Sequence, residues 1–92
     1  MSNEQRTKWV EVFSALANEQ RIKIVEMLAS GKLECQEILD RLDLSQPAVS
    51  YHLGKLERAG ILTKEKHGSR NCYRLKKSIH TLIETLKKEE EG

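Results

Sequence analysis

One proline constrains this chain more than any other residue. Pro47 is the only proline, and it stands two positions after Ser45 in the run Leu44-Ser45-Gln46-Pro47-Ala48-Val49-Ser50-Tyr51-His52-Leu53. Proline breaks a helix interior but is accommodated in the first turn, where backbone amides have no intrahelical partner. Serine is a favoured N-cap. A helix therefore opens at Ser45 and runs through Arg58, with Gly60 as its stop. Val49, Leu53 and Leu56 form its inward face at i, i+4 and i+7. Just upstream, Ile38, Leu39 and Leu42 turn one side of a short helix inward. Asp43-Leu44 leaves room only for a tight turn, and Asp43 is expected to take a left-handed backbone there.

Two helices joined this way, the second polar on its outer side, form a helix-turn-helix. The rest of the chain can be assigned around it. Trp9, Val12, Phe13 and Leu16 recur at i, i+3, i+4 and i+7, which predicts an amphipathic helix over about 3–16. Asn18 caps a second helix containing Ile22, Ile24, Val25, Met27 and Leu28, a wide apolar arc that predicts a central position, ended by Ser30-Gly31. After Gly60 the period changes. Ile61–Lys66 and Asn71–Leu75 read as two strands with a turn over 67–70, a β-hairpin. Ile79, Leu82, Ile83 and Leu86 repeat the helical stripe over about 78–89, and the tail from Lys87 to Gly92 is expected to fray. The expected fold is mainly α with a small β-hairpin, in the order α-α-α-α-β-β-α. It forms one domain over 1–92, with the helix-turn-helix at about 34–59 and a wing at about 61–75.

Charge sharpens this reading. The net charge is only +2, but residues 41–77 carry nine basic and three acidic side chains. Residues 1–40 carry five and seven, and residues 78–92 two and four. A cationic middle between acidic ends is the pattern of a local anion-binding face. Ser45, Gln46, Ser50, Tyr51, Lys55 and Arg58 lie on the outward side of the second helix. Gln can pair with adenine, Ser with several base edges, and the cations with phosphate. Lys64, Lys66, His67, Arg70 and Arg74 then fall on one small ribbon suited to a phosphate backbone or a minor groove. Two adjacent basic elements favour double-stranded DNA. A module for protein or RNA contacts remains the alternative, because fold does not fix function.

Leu16-Ala17-Asn18-Glu19-Gln20-Arg21 resembles the opening of the arsenical-resistance-type (ArsR/SmtB) repressors, and Leu44–Leu53 resembles their recognition helix. Leu56-Glu57-Arg58-Ala59-Gly60-Ile61-Leu62 and the hairpin extend the likeness over about residues 10–77. The resemblance implies a cytoplasmic, homodimeric winged helix-turn-helix repressor, released from a near-palindromic operator by an inducer. It places Gln46 and Ser50 at polar positions used on DNA, while Pro47 and Tyr51 stand where Ser and His are common. It also places the two-fold interface on the first and last helices, through Trp9, Val12, Phe13, Leu16, Ile79, Leu82, Ile83 and Leu86. A chain of 92 residues has a small core that gains from such pairing.

The inducer is not legible. Metal sensors of that family often carry Cys-x-Cys at the start of the third helix, but here Glu34 and Gln36 flank Cys35. His80 on the last helix has no histidine after it. No metal or other cofactor is expected, since soft metals take three or four thiolate or imidazole ligands. Cys35 and Cys72 are the two thiols and the candidate redox sensors, with small packing residues as the ordinary alternative. The start of the chain has no signal-peptide pattern, and no run is long enough to span a membrane, so a cytoplasmic protein with reduced thiols is expected. No glycine-rich phosphate loop, nucleophile–base pair or carboxylate pair supports an enzyme.

Overall fold

The computed structural model of the chain describes residues 1–91. Three of its helices begin where a small polar residue caps them. Ser2 opens α1 (Asn3–Leu16): its Oγ accepts from the Gln5 amide at 3.2 Å, and the Gln5 side chain accepts from the Ser2 amide at 2.8 Å. This reciprocal pair satisfies amides that the first turn leaves without partners. Asn18 caps α2 (Glu19–Ala29), accepting from the Arg21 amide at 3.1 Å. A short strand, β1 (Leu33–Glu34), leads into α3 (Cys35–Arg41). Ser45 then caps α4 (Gln46–Arg58) through the Ala48 amide at 3.3 Å, with Pro47 in the first turn.

α4 ends because Gly60 adopts a left-handed backbone, φ 78°. The Ile61 amide donates to the Leu56 carbonyl and the Gly60 amide to the Glu57 carbonyl, both at 3.0 Å. These two bonds satisfy carbonyls at the helix end and turn the chain sharply into the hairpin. The hairpin consists of β2 (Leu62–His67) and β3 (Arg70–Leu75), and α5 (Lys77–Glu91) closes the chain. The three strands form one antiparallel sheet in the order β1-β3-β2. β2 and β3 pair from Leu62 opposite Leu75 to His67 opposite Arg70. The architecture is a winged helix-turn-helix, as the apolar periodicities predict.

Ile24, Leu28, Ile38, Val49, Leu53, Leu56, Ile61 and Leu62 fill the core between α2, α3, α4 and the sheet. Burying each large aliphatic side chain contributes about 1.5–3 kcal/mol. The core therefore clamps α3 and α4 at a fixed mutual angle, which sets how α4 is presented. α1 and α5 add less to it. Within α1 only Ala15 is buried. Trp9 and Phe13 stay 49% and 54% exposed and stack with ring centroids 5.7 Å apart.

The structure corrects several local expectations. β1 joins the sheet between α2 and α3, so the order is α-α-β-α-α-β-β-α. Two residues are too few to show an alternating pattern, and the strand exists only because β3 supplies partners for it. The hairpin turn is confined to Gly68-Ser69, and His67 and Arg70 belong to the strands. Asp43 is not left-handed: no non-glycine residue among those described has a positive φ. α3 ends at Leu42 in extended backbone, φ −109° and ψ 140°, and the chain bends over residues 42–44 into α4. Ile22 lies on the exposed side of α2 rather than in the core. α5 stays helical through Lys87–Glu90 up to Glu91 where fraying is expected, and Gly92 lies outside the described residues.

Candidate nucleic-acid interface

The inward face of α4 is fixed by Val49, Leu53 and Leu56, and the polar residues are distributed around the rest of the helix. Gln46 and Ser50 are four apart and share one flank; both are exposed. Tyr51 and Lys55, also four apart, share the other. The Lys55 ammonium lies 5.6 Å from the centre of the Tyr51 ring, close enough for a cation–π contact. Tyr51 is 55% exposed, so its phenol is presented outward rather than packed on the wing. Ser45, at the helix entrance, spends its hydroxyl on the Ala48 amide. Arg58 is twelve residues from Gln46, about 18 Å along the axis. Its guanidinium folds back over Gly54, where a Cβ would lie 3.2 Å from Nη1.

On the wing the five basic side chains do not act as one set. Side chains alternate along a strand, so Lys64 and Lys66 project on the face opposite His67, Arg70 and Arg74. Among the described residues Lys64 and Lys66 make no ion pair, and both are exposed. The other three are engaged. Arg74 pairs with Glu65, His67 Nε2 lies 3.2 Å from the same carboxylate, and Arg70 Nη1 is 3.2 Å from Glu34 Oε1. Lys32, before β1, adds a second cation to Glu65 beside Arg74, at 3.8 Å. The hydrogen bond from His67, then the charges of Arg74, Lys32 and His67, hold the Glu65 carboxyl below its usual range against partial desolvation.

Sequence reasoning missed Glu34, Glu65 and Lys32, because their role depends on strand register. Glu34 and Glu65 are both opposite Cys72, from β1 and β2 respectively. It also missed Arg21, although that residue ends the Leu16–Arg21 segment. Arg21 Nε donates to the Ala15 carbonyl at 2.6 Å, and its Nη1 lies 3.2 Å from His52 Nδ1. His52 is therefore a support of α4 from within the fold.

Cys35 and Cys72 are free thiols, half-buried and buried. Cys35 packs against the core. Cys72 alternates with the core residues Tyr73 and Leu75 and so faces the opposite side of the sheet. His80 Nε2 donates to the Ala29 carbonyl at 3.1 Å. Among the described residues no group of three or more His, Cys, Asp and Glu is placed to hold a metal ion, and no helix is long and apolar enough to cross a membrane.

On the side carrying α1 and α5 lies an open cleft of about 910 Å³, lined by Trp9, Val12, Arg58, Ile79 and Leu82 among others. Ile79 is buried, Leu82 and Ile83 are half-buried and Leu86 is exposed. Together with Val12 and Leu16, half-buried on α1, they continue the apolar surface of Trp9 and Phe13.

Residues 18–64, from the cap of α2 into β2, match the model of the bacterial regulatory proteins of the arsR family. The transcriptional activator HlyU of Vibrio cholerae is 38% identical over 86% of this chain and 74% of its own length. The arsenical resistance operon repressor of Escherichia coli is 38% identical over 76% of this chain and 61% of its own. The fold is shared with a Mycobacterium bovis domain described as a homodimeric winged helix-turn-helix DNA-binding domain. That likeness has a TM-score of 0.87 and 22% identity, covering 99% of this chain and 88% of the other. The family match spans the helix-turn-helix whose geometry is described above, and the chain belongs to the arsR family of transcriptional regulators.

Proposed function

We propose that this protein is a cytoplasmic, homodimeric repressor that binds a near-palindromic DNA operator. α4 enters the major groove, where Gln46 and Ser50 read base edges and Tyr51, Lys55 and Arg58 contact the backbone or the groove wall. The wing lies on the backbone or in the minor groove beside it, with Lys64 and Lys66 as its free phosphate contacts. One observation carries the reading. The core buries Val49, Leu53 and Leu56 of α4 and leaves Gln46 and Ser50 exposed on it, while Lys64 and Lys66 on the following hairpin are exposed and make no ion pair among the described residues.

The dimer assignment rests on the exposed stack of Trp9 and Phe13 together with the apolar side of α5. Pairing through Trp9, Val12, Phe13, Leu16, Ile79, Leu82, Ile83 and Leu86 covers that surface. It also presents two copies of α4 to half-sites about 34 Å apart. The homodimeric state named for the Mycobacterium bovis domain supports it.

Footprinting on the DNA immediately upstream of the chain's own gene tests the proposal. The expected result is one protected block containing two related half-sites a helical turn apart. Uniform protection at high protein concentration, with no preferred block, contradicts operator reading and favours a module for protein or RNA contacts.

A further inference from the structure

The wing carries a built-in restraint on its own charge. We propose that Glu65 is an affinity-limiting residue, a carboxylate that masks wing cations and so lowers the sequence-independent part of DNA binding. The inference rests on the proposal that the wing lies against the phosphate backbone.

The geometry is specific. One half-buried carboxylate serves two cations and an imidazole from three places in the chain: Arg74 across the hairpin, Lys32 before β1, and His67 two residues on. Glu34 repeats the arrangement on the other side of β3 through Arg70. These two acids are both in register with Cys72, so the outer face of the sheet is an alternating lattice of charge. A phosphate approaching this face meets cations already partnered. It must displace the carboxylate or tolerate it within about a Debye length, ~8 Å at physiological salt. Both cost affinity, and both act on any DNA sequence alike. Contacts of α4 with base edges are untouched, so the mask lowers the backbone contribution that operator and random DNA share. Steric placement reinforces the assignment. Glu65 sits between Lys64 and Lys66 on the same strand but on the opposite face, so the free lysines remain available while the arginines do not.

Glu65→Gln removes the charge, keeps the shape and leaves the core intact. Its affinity for a random-sequence 30-base-pair duplex at physiological salt should rise about three- to tenfold. The dependence of log affinity on log salt should steepen, by roughly 0.9 for each phosphate newly engaged. Affinity for the upstream DNA should rise by about the same factor, leaving its preference over random duplex unchanged. Glu65→Asp retains the charge and should behave as wild type, and Glu34→Gln should reproduce the effect in weaker form through Arg70. Unfolding midpoints of all variants establish that the fold is retained. If Glu65→Gln binds random duplex no better than wild type, or more weakly, Glu65 orients the arginines or is neutral, and the inference is wrong. A wild-type chain that binds neither duplex is a different failure: it overturns the nucleic-acid reading and the inference with it.

Discussion

Arg21 and His52 are joined across the interior edge of the fold. The guanidinium Nη1 lies 3.2 Å from the imidazole Nδ1, while Nε of the same arginine donates to the Ala15 carbonyl at 2.6 Å. One planar group thus ties the end of α1, the first turn of α2 and the middle of α4. Its five donors in fixed directions suit this task, and a lysine ammonium is a single point. The orientation of the candidate recognition helix is set through this contact as well as by the core.

Arg21→Ala leaves a half-buried carbonyl and an imidazole nitrogen without their donor, at a cost of about 1–3 kcal/mol. For a 92-residue chain each kcal/mol corresponds to a fall in Tm of roughly 4–8 °C. Thermal unfolding checks it. Arg21→Lys should fall between the two, and an unchanged Tm in Arg21→Ala contradicts the bracing role.

The same contact gives stability a pH dependence. Burial first, and the Arg21 charge second, hold the His52 imidazole below its ordinary value of 6.5. The unfolded chain then binds a proton more readily than the folded one. The contribution of His52 is present above about pH 6.5 and is lost as pH falls from there through the lower folded value. Urea unfolding between pH 8 and 5 should show this loss, and His52→Gln should flatten it. An identical slope in the variant places the effect elsewhere.

Phe13→Glu puts a charge into the exposed stack with Trp9. Sedimentation at micromolar concentration should find wild type as a dimer and the variant as a folded monomer, with unchanged helical signal. DNA binding should weaken by at least tenfold, because one protomer offers one half-site contact. A variant that remains dimeric moves the interface away from α1.

The wing cations should be unequal. Lys66→Ala removes an unpaired lysine, and is expected to weaken operator and random DNA alike and to reduce the salt slope by roughly 0.9 per protomer. Arg70→Ala removes a cation already held by Glu34, so its effect should be clearly smaller. Equal losses in the two variants contradict the division of the wing into free and engaged charge.

Much of this architecture is legible from local pattern. Pro47 after Ser45 marks the start of α4, and the spacing of Val49, Leu53 and Leu56 identifies its buried side, because both depend on residues within a few turns. The hairpin follows from the change of period after Gly60. What is not legible depends on register or on distant partners. β1 is invisible without β3 beside it, and the left-handed backbone that residue type suggests at Asp43 is not adopted in the bend over 42–44. The wing reads as uniformly basic until pairing brings Glu65 to Arg74 and Glu34 to Arg70. Arg21 has no assigned contact in the sequence, because its partners Ala15 and His52 come together only in the folded chain.

The central claim is that the α4 flank reads sequence while the wing supplies general affinity. Titrating wild type and Gln46→Ala against upstream DNA and random duplex over a range of salt concentrations tests it most directly. Wild type is expected to prefer upstream DNA by on the order of 10³-fold or more. Gln46→Ala should lose much of that preference while its affinity for random duplex and its salt slope stay unchanged. Equal losses of Gln46→Ala on both DNAs, or a wild type with no preference at any salt, would contradict it.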